Sequence, residues 1–138
     1  MKLNNHELLA FQNAYIACAF WSSTDGDDEL LYENFDDGDL SEDARNGMHA
    51  DCLAFCIANA ADILCDGAPL AEYWDGATDG ERKAAMAGHD FWLTRNGHGA
   101  GFWDSGWPEP AATRLDNAAK AFGSIELYVG DDGAVHRC

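Results

Sequence analysis

Residues 88–104 read GHDFWLTRNGHGAGFWD, and the architecture expected of this chain depends on how that run is parsed. It holds two His, one Arg, one Asn, two Trp, two Phe and four Gly. Phe91 to Arg95 and Ala100 to Asp104 flank Asn96-Gly97, a dipeptide suited to the positive φ angles of a two-residue hairpin turn. The pattern predicts a β-hairpin. Residues paired across such a turn have opposite parity, so Phe91, Leu93, Arg95, His98, Ala100, Phe102 and Asp104 are expected on one face and Trp92, Thr94 and Trp103 on the other. Arg95, His98 and Asp104 would then form a common face with His89 at its edge, and Arg95 would pair with Asp104 across the strands.

The flanking sequence is predominantly helical. Thr78-Asp79-Gly80-Glu81 has the Ser/Thr-x-x-Glu pattern of a capping box and predicts a helix ending near Gly88. After the hairpin, Pro108 and Pro110 lead into an amphipathic helix from about Ala111 to Phe122, closed by Gly123. Ile125 to Val129 and Ala134 to Arg137 then predict a second hairpin around Gly130-Asp131-Asp132-Gly133.

Nearer the N-terminus, Leu8, Leu9, Phe11, Tyr15, Ile16, Ala19 and Phe20 recur at helical spacing and predict a helix from Asn5 to Trp21. Ser22 to Leu40 reads as a loop, and Ser41 as the N-cap of a helix reaching about Cys65, with Met48, Cys52, Phe55, Cys56, Asn59 and Ile63 along its buried stripe. Gly67 and Pro69 stop that helix, and a short segment Leu70 to Trp74 follows. The expected fold is a single α+β domain over residues 1–138, with about four helices packed on a small antiparallel sheet built from two β-hairpins.

Charge and cysteine content narrow the function classes. There are 25 Asp and Glu against 8 Lys and Arg, a formal net charge of -17. Such a surface repels phosphate, which argues against direct binding to nucleic acid or an anionic membrane and for a basic partner. The five cysteines, Cys18, Cys52, Cys56, Cys65 and Cys138, are odd in number and lie mostly on apolar helical faces, the usage of reduced thiols in the cytoplasm. The apolar run Leu8 to Trp21 is interrupted by Gln12 and Asn13 and preceded by Lys2 as its only basic residue, unlike a secretory leader.

Chemical candidates are few. His89 or His98 would serve as a general base or metal ligand, oriented by Asp90 or Asp104, with Arg95 holding an anion. A hairpin followed by a helix resembles the strand-strand-helix layout of metal-dependent nucleases, but here that helix has no His and offers only Asn117. The simpler account makes Arg95 and Asp104 an ion pair and the tryptophans interface filler. Cys52 and Cys56, one helical turn apart, would reach a soft metal only with His49, His136 and Cys138; as small apolar thiols they also fit a helix core. Asp25-Gly26-Asp27-Asp28-Glu29 opens like a calcium loop, yet Leu30 stands where its sharp turn needs Gly. Neither a phosphate-cradling loop nor a dinucleotide fingerprint is present. No catalytic residue, cofactor or metal is assigned, and the chain is not read as an enzyme.

The acidic segment is the alternative working surface. Asp25, Asp27, Asp28, Glu29, Glu33, Asp36, Asp37, Asp39, Glu42 and Asp43 are ten carboxylates with no basic residue among them, interleaved with Leu30, Leu31, Tyr32 and Phe35. Duplex DNA carries about one charge per 1.7 Å of axis, a density that closely spaced carboxylates approach. Tyr32 and Phe35 would anchor between the charges. Solvation alone, or adaptation to high salt, would account for the acid equally well.

AGHDFWLTRNGHGAGFWD at residues 87–104, FWSSTD at 20–25 and LYVGDDG at 127–133 resemble segments of a family of small acidic, largely uncharacterised proteins encoded by bacteriophages and other mobile elements. The resemblance covers blocks over most of the chain, departs between Asp27 and Leu40, and carries over no catalytic residue. It implies action in the cytoplasm of a host cell. Together with the charge, it leads to the expectation of an inhibitor that occludes a basic nucleic-acid-binding surface of a host defence complex, as in anti-restriction or anti-CRISPR DNA mimicry. A small enzyme or ligand-binding domain using His89, Arg95, His98 and Asp104 is the alternative.

Overall fold

The computed structural model describes residues 1–72 and 75–138, so the C-terminal part of the expected Leu70 to Trp74 segment lies outside the described residues. Among the described residues, five α-helices precede one antiparallel strand pair: α1 (Asn5–Ser22), α2 (Leu31–Asn34), α3 (Glu42–Ile63), α4 (Asp79–Arg95), α5 (Ala111–Ala121), β1 (Leu127–Val129) and β2 (Val135–Arg137). The α+β class holds, with a smaller sheet than expected.

Local capping starts the main helices where the sequence indicates. In α1, Asn4 Oδ1 accepts from the Glu7 amide at 2.8 Å while Glu7 Oε1 accepts from the Asn4 amide at 2.9 Å, satisfying two otherwise orphaned donors. Ser41 Oγ accepts from the Ala44 amide to open α3, and Thr78 with Glu81 forms the expected box at α4. Helix α3 breaks its regular geometry at Asn59, whose Nδ2 donates back to the Phe55 carbonyl.

Two expectations for the region around residue 88 are overturned. Helix α4 does not end near Gly88 but continues to Arg95, and residues 91–104 form no hairpin. Asn96-Gly97 is instead the end of a helix: the Gly97 amide donates to the Thr94 carbonyl, the His98 amide to the Leu93 carbonyl, and Gly97 has φ +66°. This is a Schellman closure, in which glycine supplies the left-handed residue. The predicted parity faces therefore do not exist. Phe91, Trp92, Leu93, Thr94 and Arg95 are all buried, because the last turns of α4 are enclosed on every side. With no polar stripe left, the helical period that normally distinguishes a helix from a strand is erased.

Gly88 explains how α4 reaches its central position. A Cβ there would stand 2.1 Å from the Phe11 carbonyl oxygen, so only glycine lets the α4 backbone lie against α1 at this point. Around that contact Phe11, Tyr15, Phe55, Phe91, Phe102 and Phe122 form an aromatic core, with Phe55 and Phe91 stacked at 4.2 Å between centroids. Such pairs contribute about 1 kcal/mol each beyond their area burial.

The second predicted hairpin is present, with Leu127 opposite Arg137 and Val129 opposite Val135. It supports the acidic segment directly: Leu40 bridges to Val135, and the Ser41 amide donates to the Val135 carbonyl at 2.8 Å. That segment is more ordered than a plain loop, containing α2 and a single 3-10 turn at Asp37–Asp39.

Candidate functional sites

The structure disperses the four residues expected to share a face. Arg95 belongs to the core: Nη1 donates to Asp51 Oδ2 at 2.8 Å and to the Tyr15 hydroxyl at 3.1 Å, and Nε and Nη2 donate to the Gly123 and Phe122 carbonyls. Its guanidinium thus closes the C-terminus of α5, where orphaned carbonyls favour a cation. Asp51 is its ion-pair partner, not Asp104, and Asp51 also accepts from Arg137 at 3.0 Å. Asp104 instead accepts from the Gly101 amide at 2.9 Å, a local turn contact. His98 is exposed and lines a cleft of about 320 Å³ with Thr24, Asn96 and Glu126.

His89 alone among the four opens on a substantial cavity. Its Nδ1 lies 3.2 Å from Oδ1 of Asp90, a carboxylate without solvent exposure. Trp107 Nε1 donates to Asp90 Oδ2 at 2.8 Å, and the Ser105 hydroxyl lies 3.0 Å from Oδ1, so the carboxylate is held from both sides. The hydrogen bond to Asp90 and then the neighbouring Cys18 thiol push the His89 pKa up from 6.5 to about 10. The imidazole is therefore cationic at neutral pH. The expectation that Asp90 orients His89 matches this geometry; the participation of Cys18, on α1, was invisible in a sequence where it is far from residue 89.

The cavity measures about 700 Å³ and lies between α1 and α4, with Ala14, Cys18, Trp21, Tyr32, Met86 and His89 among its walls. A second cleft of about 520 Å³ lies beyond Tyr32, lined by Ile16, Phe20, Phe35, Asp36 and Asp37. Tyr32 lines both, and it is 51% exposed.

The acidic segment divides its apolar residues between two tasks. Leu31 and Leu40 are buried and tether it to the core, whereas Tyr32 stands on the surface and Phe35 is half-buried. Asp25 Oδ1 accepts from the Asp27 and Glu29 amides, and Asp36 from Gly38, so some carboxylates also fix the backbone that carries the others. Nine of the ten carboxylates are exposed and Asp25 is intermediate. Among the described residues none of the ten forms an ion pair with a cation.

The cysteine pair has a different environment from a metal centre. Cys52 and Cys56 are buried on α3, where desolvation pushes the Cys52 thiol well up and Cys56 up to about 12, favouring neutral thiols over thiolates. His136 pairs with Asp132 at 3.0 Å instead of turning toward them. Among the described residues no three His, Cys, Asp or Glu side chains converge in a metal-binding arrangement, and no helix is long and apolar enough to cross a membrane.

Comparison with known protein families, with characterised proteins and with solved structures finds no match to this chain.

Proposed function

We propose that this protein acts by binding a basic surface of another protein, with Asp25, Asp27, Asp28, Glu29, Glu33, Asp36, Asp37 and Asp39 supplying charge and Tyr32 and Phe35 supplying anchors. The observation that carries this reading is the cleft in which Asp36 and Asp37 share walls with Ile16, Phe20, Tyr32 and Phe35. A basic side chain could meet carboxylates there while its neighbour buries apolar surface, combining the two sources of interface energy in one place. Among the described residues no cation forms an ion pair with any of the ten carboxylates, the neighbouring Arg45 guanidinium donating to the Asp37 backbone carbonyl instead, so their side-chain charges are left to act on a partner.

The partner fitting this surface is a basic nucleic-acid-handling protein of the host cell, occluded by charge and bulk; the resemblance to small acidic phage-encoded proteins supports a host defence complex as the target. The test is capture from host lysate with wild type and with a variant carrying Asp27→Asn, Asp28→Asn, Asp36→Asn and Asp37→Asn, followed by competition of the captured protein against labelled duplex DNA. Salt-sensitive capture, weakened in the variant and coupled to DNA release, is the expected result. Association indifferent both to salt and to the four substitutions would remove the proposal.

A further inference from the structure

We propose that the cleft between α1 and α4 binds a small apolar molecule bearing one carboxylate, which accepts a hydrogen bond from His89. The walls offer Ala14, Cys18, Trp21, Tyr32 and Met86 to the apolar body, and His89 is the one cationic side chain among the described lining residues. Glu72 lines the same cleft and carries the opposite charge, so a bound carboxylate must be seated on the imidazole side.

The side chain of His89 is 43% exposed, and its Nδ1 is committed to Asp90. The Cys18 thiol is a second side-chain hydrogen-bond partner of the imidazole, a weak acceptor that a ligand carboxylate would outcompete for the Nε2–H. Asp90 is itself immobilised by Trp107 and Ser105, which fixes the direction of the ring. A buried carboxylate that holds an imidazole rigidly against an apolar cavity is the arrangement of a pre-organised donor, and a few placed polar groups in apolar walls define ligand clefts generally.

Covalent chemistry at Cys18 fits less well. The thiol lies within α1, where the surrounding backbone amides are engaged in the helix and cannot converge on a developing oxyanion. Binding, without a reaction, is what the geometry supplies.

The probe is decanoate below its micellar concentration, titrated into the full chain by calorimetry and by the methyl resonance of Met86. Wild type should bind one decanoate, shifting the Met86 methyl in step with the heat. His89→Gln should weaken binding by about tenfold, the worth of one charge-assisted hydrogen bond. Met86→Trp, which fills the cleft, should abolish binding while thermal unfolding remains cooperative. Decanol should bind at least about tenfold more weakly than decanoate. Because protein and probe are both anionic, added salt should strengthen this association, whereas it weakens docking on a basic partner. No binding at millimolar decanoate, equal affinity for decanol, or unchanged affinity in His89→Gln would each overturn the proposal, and none of them bears on the acidic surface.

Discussion

Arg95 Nη1 and Asp51 Oδ2 lie 2.8 Å apart, joining the last residue of α4 to the middle of α3. The arginine side chain is 2% exposed and the aspartate 24%, so a nearly dry guanidinium depends on a carboxylate that still touches water. Asp51→Ala would leave that charge under-compensated, at a cost of about 3 kcal/mol. Urea unfolding of the single variant and of Asp51→Ala with Arg95→Met checks the cause. The double variant should recover part of the loss; if it recovers none, the stability resides in packing rather than in charge balance.

Gly88 gives a second stability test. Its missing Cβ is the space occupied by the Phe11 carbonyl oxygen, and backbone cannot be displaced as a flexible side chain can. Gly88→Ala is expected to separate α1 from α4 and to cost about 2–3 kcal/mol, the range of an overpacked core. Thermal unfolding and loss of near-ultraviolet aromatic dichroism report it together.

At Gly97, where φ is +66°, substitution separates helix closure from helix packing. Gly97→Ala should cost about 1 kcal/mol, and Gly97→Asn less, because asparagine tolerates the left-handed region. Equal losses for the two would contradict the Schellman geometry.

The His89 pair predicts a pH dependence of definite sign. Its pKa rises from 6.5 to about 10 on folding, so the folded chain binds a proton more tightly than the unfolded one. The resulting stabilisation is complete below about pH 6.5 and disappears as pH climbs through about 10. Cys52, Cys56 and Cys65, also raised by burial, add an alkaline loss of the same sign, so the informative quantity is the difference between wild type and His89→Gln. Melting temperatures of the two should diverge most at about pH 6 and converge in alkali; parallel curves throughout would exclude the imidazolium pair as a stabiliser.

Much of the helical framework is written in local chemistry. Asn4 with Glu7, Ser41, and Thr78 with Glu81 act within one turn of themselves, and Gly123 follows the last turn of α5, so these boundaries can be read without knowing the fold. Residues 91–95 cannot be read this way. Phe91, Trp92 and Thr94 are residues that strands favour, and their helical state is maintained by burial against α1, α3 and α5 instead of by propensity. Asn96-Gly97 compounds the ambiguity, since a hairpin turn and a helix closure both need positive φ at that glycine. The candidate site follows the same division: His89 beside Asp90 is visible as a sequential pair, whereas Cys18, Trp21 and Tyr32 reach the cavity only through the packing of other elements.

The helix closure at Gly97 also determines where the chain can change its length. Within paired strands, one added residue would have turned every following side chain to the opposite face. Here Gly97, His98 and Gly99 are exposed and unpaired by strand hydrogen bonds, and the chain is next fixed where the Gly101 amide meets Asp104 and the Phe102 amide meets Thr94 Oγ1. A residue inserted after Gly99 has no ladder to disturb, whereas one inserted into Leu127–Val129 must slip against Val135–Arg137. The crowded segment at residues 88–104 therefore contains, at its midpoint, a natural joint for accepting a label or a graft.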